Sequence, residues 1–508
     1  MWLRLGNKRF KNMREVLLLP SDRTLQLYRT KMPTNGGGFH VSVFESLLKQ
    51  IESQPGPRSV EDYDVILSWD ATGYNRTLRF DKHSGSLLGF DCDPESFCMH
   101  NMFSSCVNCF MVTSPQRDIH IKFPVAYYHC AGLNSAKIRR QCGEVMAGLD
   151  NIGLRVVALV CDGASEHARY FNLTLEEFAA NDDSIKVMKD GMWAISDPPH
   201  LVKKFRNNWL TSGEKDRHTR RLDKDGFHIG WTVMEAVHTI STTLPTGDVR
   251  PFTLLRKVTW DVVQPSPIQT LRVSLAAIPF SKEVRDFVSS NLDRLVRETG
   301  LRHGDIRLTL EYMGIVDEVF QIMNSKYPVT WSPEDDGTGT GTPIGLRDRC
   351  DTSKGHNLSF FAKIFGVSVQ YMMEISGLPS PNSVPNPDHI ILVDRPQRLL
   401  KIASYFKEWK TYVDGLPNLT KKERSKLFIT HWLFDDLRRT CHGVVGLLKT
   451  YITPGCKRCW VLRRLNQDPI ESLFGQIRNY SGSNKNMDRT SVDLSMCKIR
   501  CMGMESFM

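Results

Sequence analysis

The sequence predicts an α/β fold, a mixed sheet flanked by helices, interrupted by a large, mainly α-helical second domain. Three observations carry this reading. Short runs rich in valine and aromatic residues, YDVILSWD, NCFMVT, FPVAYYHC and RVVALVC, fill the first part of the chain and have the length and composition of buried strands. Beyond Trp209 the strand signal fades and helical periodicity takes over. Near the far end, LNQDPIESLFGQIRNYSG opens a further helix with an acid, a proline and a second acid.

Length and composition set the bounds. A chain of 508 residues with 41% apolar and 24% charged residues can bury a large core and form several domains. No window approaches the run of apolar residues that a membrane span needs, and the first twenty residues scatter their charges without a cleavage-site pattern, so neither a span nor a signal peptide is expected. The 13 cysteines follow no framework spacing, which favours reduced thiols and a cytosolic or nuclear compartment. The net charge of +10 is concentrated at 203–206, 217–224, 421–426 and 456–464. Nucleic acid is the natural polyanionic partner for such clusters, and solvated helix faces are the competing reading. KKERSK also overlaps a helix start, where Thr420 and Glu423 fit a capping box.

In chain order, residues 1–55 read as helical, a helix-turn-helix remnant that either docks on DNA or packs as a small module. Residues 56–210 carry the sheet. YDVILSWD is a strand ending in Asp70, RTLRFDKHSGSLLGF alternates as a hairpin does, and 108–113 and 123–130 add strands. An amphipathic helix over 135–149 leads to a strand over 156–161 that ends in Asp162 and Gly163. A short strand ending at Ile195 precedes SDPPHLVKKFRNNWL, with Asp197 as N-cap, Pro198 at the first helical position, and Lys203, Lys204 and Arg206 on the helix. Residues 211–460 are helical, at 282–297, 311–323, 357–376, 396–413 and 421–452. Surface loops interrupt them at 334–345 and 378–394. GTGTGTPIG lacks the lysine and hydroxyl of a P-loop. Residues 461–485 form a returning helix with Asp468 as N-cap and Glu471 as its reciprocal partner. Residues 486–508 read as an irregular or truncated tail.

Acids just past the carboxyl ends of strands stand where open α/β sheets hold their sites. Asp70 and Asp162 occupy such positions, and Glu471 completes a carboxylate trio if its helix returns to the sheet. Such a trio suits two Mg²⁺ or Mn²⁺ ions acting on a phosphodiester, although capping alone accounts for Asp468 and Glu471. Glu166 and His167, on the turn after Asp162, are either second-layer groups of that site or surface groups. Cys106 and Cys109, with Cys92, Cys98 and His100 nearby, lack the second spaced pair of a zinc site, as do Cys456 and Cys459.

The stretches ILSWDATGYN, LRFDKHSGSLLGF, FPVAYYHCAG, LVCDGASEHARYF, SDPPHLVKKFRNNW, VFQIMNSKYP and LNQDPIESLFGQIRNYSG resemble, in order and context, those of P-element-type transposases, including their THAP-domain relatives. The resemblance covers most of residues 15–485. It implies an RNase H-like catalytic domain, an α-helical insertion that binds GTP, and cutting and joining of DNA by a DDE triad: Asp70, Asp162 and Glu471. It further implies that Asp468 serves the ion on the GTP phosphates and that Asn324 lies in the guanine pocket, where Gln321 stands in place of the family's Asp. Transposon ends and target DNA are the implied partners, with a homo-oligomer as the active form and the nucleus as the location; Lys203, Lys204 and Arg206, which follow the double proline on a helix close to the proposed site, are expected to contact DNA phosphates. No cysteine precedes Cys92, so the zinc-binding THAP module is not expected, and the match thins past Gly482, as in a truncated or domesticated copy. Two alternatives stand beside the enzyme: a catalytically inactive nuclear DNA-associated protein, and a GTP-dependent assembly factor.

Overall fold

In chain order the first part of the fold runs α1 (Val41–Glu52), β1 (Asp64–Gly73), β2 (Arg79–Asp81), β3 (Ser86–Leu88), β4 (Cys106–Thr113), β5 (Lys122–Cys130), α2 (Ser135–Asn151), β6 (Arg155–Cys161), α3 (Ser165–Thr174), β7 (Leu175–Ala180), β8 (Asp183–Met188), β9 (Trp193–Ser196) and α4 (Pro198–Leu210). Two further helices, α5 (Asp468–Tyr480) and α6 (Arg489–Met502), close the chain. This computed structural model describes residues 37–52, 63–81, 85–91, 103–117, 119–180, 183–188, 191–213, 218–244, 247–250, 252–325, 328–329, 395–452, 460–480 and 487–502. They fall in two units, Met1–Asp197 with Arg464–Met508, and Pro198–Arg463.

In the first unit the apolar runs pair into a five-stranded sheet of order β5-β4-β1-β6-β9. β1, β4 and β5 form an antiparallel meander. β6 then lies parallel to β1, and β9 parallel to β6. A parallel neighbour requires a crossover connection, and α2 supplies it. The hairpin stretch forms a separate two-stranded ribbon of β2 and β3, and β7 pairs with β8 in another.

Successive side chains of a strand point to opposite faces, which gives the sheet two apolar layers. Val65, Leu67 and Trp69 of β1, with Phe110, Val112, Leu159 and Cys161, pack against Phe44 and Leu47 of α1, Ile138 and Val145 of α2, and Tyr170 and Phe171 of α3. On the other face Val107, Cys109 and Met111 of β4 and Tyr127 of β5 pack against Ile470, Leu473, Phe474 and Ile477 of α5 and Val492, Met496 and Ile499 of α6. The returning helix is therefore a layer of the same sheet. α1 is a packing module of this core, and the rest of the proposed helix-turn-helix lies outside the described residues.

The expected irregular tail is instead helix α6. Val492, Met496 and Ile499 recur at helical spacing and bury one face, and Asp488 receives the Ser491 N–H at 2.8 Å. Asp493 anchors the helix, accepting from Tyr127 Oη at 3.0 Å and lying 2.9 Å from His129 Nε2. The Arg500 guanidinium donates to the carbonyls of Pro124 and Val125.

The second unit begins at Pro198, so α4 belongs to it, not to the sheet domain where the sequence placed it. Its helices include Thr232–Thr242, Lys282–Ser290, Leu292–Thr299, His303–Met323, Arg395–Gly415, Lys421–Leu427 and His431–Tyr451. Trp209 is central, packed against Trp231, Phe280 and Tyr312. The predicted helices over 282–297 and 421–452 each divide in two. Thr420 and Glu423 do form the capping box. The segments 334–345, 357–376 and 378–394 lie outside the described residues. Among the described residues no helix is long and apolar enough to cross a membrane.

Because Ile499 is fully buried, Ile499→Ala is expected to cost about 2–4 kcal/mol in urea unfolding. A cost near zero would contradict the packing of α6.

Candidate active site at the carboxyl ends of the central strands

Register decides where the first two acids stand. β1 and β6 run parallel with Ser68 level with Val160, so two residues further along each strand Asp70 and Asp162 stand side by side, on strands about 4.8 Å apart. Asp70 is opposite Cys109 on β4. Cys109 belongs to the layer under α5, and paired residues share a face, so Asp70 is on the α5 side while Trp69 is buried on the other. Burial is also the main reason that the Cys109 thiol is held well above its ordinary range, with the nearby Asp70 charge adding to it.

Asp162 begins the turn after β6. Its Oδ1 accepts the Ala164 N–H at 2.9 Å and lies 2.7 Å from His167 Nδ1. Gly163 supplies the left-handed conformation, φ 67°, that turns the chain into α3.

The third acid comes from α5, and its helix is fastened at the same edge. Gln467, the residue before the helix, donates its backbone N–H to Asp197 Oδ1 and its side-chain Nε2–H to the Trp69 carbonyl, both at 2.7 Å. Asp197 follows β9 and gives its own N–H to the Cys161 carbonyl at 2.8 Å. One residue pair thus ties together β1, at Trp69, and the ends of β6 and β9; β1 itself runs on to Gly73, so Asp70 lies within the strand and not at its end as the sequence suggested. Two turns beyond Glu471, Arg478 Nη2 donates to Thr72 Oγ1 at 3.1 Å. Gln467, Glu471 and Arg478 share one stripe of the helix, since offsets of four and seven residues return to nearly the same side. Its ends touch β1 at Trp69 and Thr72, so Glu471 lies along β1 in the neighbourhood of Asp70.

All three carboxylates are hard oxygen donors, the type that holds Mg²⁺ or Mn²⁺, and they come from adjoining elements at one sheet edge. Among the described residues no group of three or more His, Cys, Asp or Glu side chains is gathered closely enough to hold a metal ion. Asp162 is bound to its own turn, and Glu471 is exposed. The donor set fits the ions in kind, as hard carboxylate oxygens, while the three side chains do not converge on one point. Cys106 and Cys109 do not form a zinc pair, because three residues along a strand they point to opposite faces.

Asp468 is exposed one turn from Glu471, and its charge acts on Lys122 of β5. The expected N-cap shifts back by one residue: the Gln467 carbonyl accepts the first helical bonds, from Ile470 and Glu471, at 2.9 and 3.0 Å. In the second unit Asn324 ends helix His303–Met323 and is half-buried. The exposed Gln321, one turn earlier, donates to Asp317 Oδ1 at 3.2 Å. Lys204 pairs with Asp436 Oδ2 at 2.7 Å, and Lys203 is half-buried beside it on α4. Arg206 departs from the expectation of a phosphate contact. It is fully buried, and its Nη2 donates to the Thr270 carbonyl at 2.9 Å. Sequence reasoning missed Gln467 and Asp197 as the clasp, although Gln467 stands one helical turn before Glu471.

Residues 36–174 match the family profile described as TNP-like, RNase H N-terminal domain. The structure resembles that titled Drosophila P element transposase strand transfer complex, with a TM-score of 0.61 at 15% sequence identity, covering 97% of this chain and 88% of that one. The profile covers part of the sheet-bearing unit, and the structural likeness shows that the chain as a whole shares the fold of that transposase. The mixed sheet between helical layers is accordingly an RNase H-like domain with helical regions. No curated protein matches the chain.

Gln467→Leu removes the side-chain half of the clasp. It is expected to lower unfolding free energy by about 1 kcal/mol and to speed hydrogen exchange at the Ile470 and Glu471 amides. Wild-type exchange there would show that the clasp does not hold the start of α5.

Proposed function

We propose that this protein is a P-element-like DNA transposase, a DDE-type enzyme that cuts and joins phosphodiesters with Mg²⁺ or Mn²⁺. The observation that carries this reading is the side-by-side placement of Asp70 and Asp162 on adjacent parallel strands, with Glu471 fastened along the same strand. A Drosophila protein of this fold is titled as a strand transfer complex, which supports the same class of reaction here. Asp70, Asp162 and Glu471 are the residues that would hold the ions. When bound, such ions lower the pKa of an attacking hydroxyl and stabilise the leaving oxygen.

In this reading Asp70 and Asp162 are fixed by strand register and turn hydrogen bonds, and Glu471, on its longer exposed side chain, turns inward to complete the set. Gln467 and Asp197 hold the helix so that this movement is one of side-chain rotation. DNA is the substrate and the nucleus the place of action. Lys203 and Lys204 are the phosphate contacts of α4, whereas Arg206 supports the core. The helical unit is proposed to take a purine nucleotide, with Asn324 at the base. Gln321 offers guanine an amide where a carboxylate would accept two N–H groups at once, so preference for GTP over ATP is expected to be weak.

The test is a nicking and strand-transfer assay on candidate terminal repeats with Mn²⁺ or Mg²⁺, with and without GTP. Wild type is expected to cut, and Asp70→Asn, Asp162→Asn and Glu471→Gln each to fall to background while remaining folded. Binding of DNA without cutting under all these conditions would contradict the enzyme and favour a DNA-associated protein derived from one.

A further inference from the structure

His167 is buried, 3% exposed, and its two ring nitrogens are treated very differently. Nδ1 lies 2.7 Å from Asp162 Oδ1. A carboxylate oxygen accepts, so Nδ1 carries the proton and donates. Nε2 is buried with no hydrogen-bond partner. The ring stands edge-on to Trp69, centroids 5.8 Å apart at 79°, and Tyr170 and Phe171 from the same side of α3 also pack on that tryptophan. Trp69 immediately precedes Asp70. One side chain therefore touches the residue before the first acid through its ring and the second acid through its nitrogen.

As packing, a phenylalanine would fill this place against Trp69 without burying a nitrogen that has no partner. What histidine alone supplies is the Nδ1–H on Asp162. Together with the Ala164 N–H on the same oxygen, it fixes the plane of the carboxylate, and hence the direction in which Oδ2 points. A single hydrogen bond would leave the group free to rotate about its last torsion.

We propose that His167 is a positioning residue: it orients the Asp162 carboxylate toward the cation that this acid would hold, and braces the turn after β6 against β1 at Trp69, beside Asp70. This rests on the reading of Asp162 as a metal ligand. Groups that hydrogen-bond to ligating carboxylates set their geometry, and removing them typically weakens metal affinity 10- to 100-fold.

The test is Mn²⁺ binding to the full chain, followed by calorimetry and by the electron paramagnetic resonance signal of free Mn²⁺, with thermal unfolding alongside. Wild type is expected to bind and Asp162→Asn to lose binding. His167→Phe, which keeps the ring against Trp69, should bind about tenfold more weakly at an unchanged melting temperature. His167→Asn places an amide N–H near the position of Nδ1 and should recover most of the affinity, whereas His167→Gln places it near Nε2 and should not. The Asn and Gln pair decides the matter even if the Phe variant folds poorly. Equal affinities for the two, or wild-type affinity in His167→Phe, would overturn the role of His167 while leaving the metal centre intact. No binding by wild type, or undiminished binding by Asp162→Asn, would overturn the metal-centre reading itself and this inference with it.

Discussion

The parallel pairing of β1 with β6 is the constraint on which the rest of the first unit depends. It brings the strand positions that lead to Asp70 and Asp162 level through backbone pairing, Ser68 with Val160, and the turn bonds of Asp162 complete its placement. It also fixes which face each acid takes: a shift of one residue in the register would carry a strand's apolar set into the opposite layer. Val65, Leu67 and Trp69 on one side and Cys109 opposite Asp70 on the other make that shift costly. The core and the placement of the acids are therefore specified by the same alternation.

The second dependence is on α5, which reaches the sheet from far along the chain. Its apolar face is built from Ile470, Leu473, Phe474 and Ile477, and this would suffice to place it on the layer but not to fix its position along β1. The polar contacts do that: Gln467 at Trp69 and Asp197, and Arg478 at Thr72. Apolar burial supplies most of the free energy, and directional bonds choose the register within it. The site lies where both demands meet.

Much of this was legible in the sequence, and the misses have identifiable causes. The strands could be read because β1, β4, β5 and β6 are buried on both faces and so appear as continuous apolar runs. The return of α5 could not be derived from periodicity, since no pattern within a helix says which sheet it will cover; it followed from the resemblance. Arg206 was read as a surface cation because of its charge and its lysine neighbours. Yet Val202, Phe205 and Trp209 surround it at helical spacing, and all are buried, so the stripe already placed Arg206 inward. The tail reads as irregular where the family match thins past Gly482, whereas the helical spacing of Val492, Met496 and Ile499, all buried, is the signal that points to α6. His167 stands out in the sequence on the turn after Asp162, but its partner depends on the turn that folds α3 back over Trp69.

Under the proposed function, Asp70, Asp162 and Glu471 would surround one divalent-cation centre. Iron-directed cleavage tests it most directly: Fe²⁺ replaces Mg²⁺, and ascorbate with peroxide generates hydroxyl radicals that cut the backbone near the bound ion. The account predicts cuts in one sample around residues 70, 162 and 471, all suppressed by excess Mg²⁺ and by Asp162→Asn. Cuts near 70 and 162 with none near 471, or cuts indifferent to Mg²⁺, would contradict it.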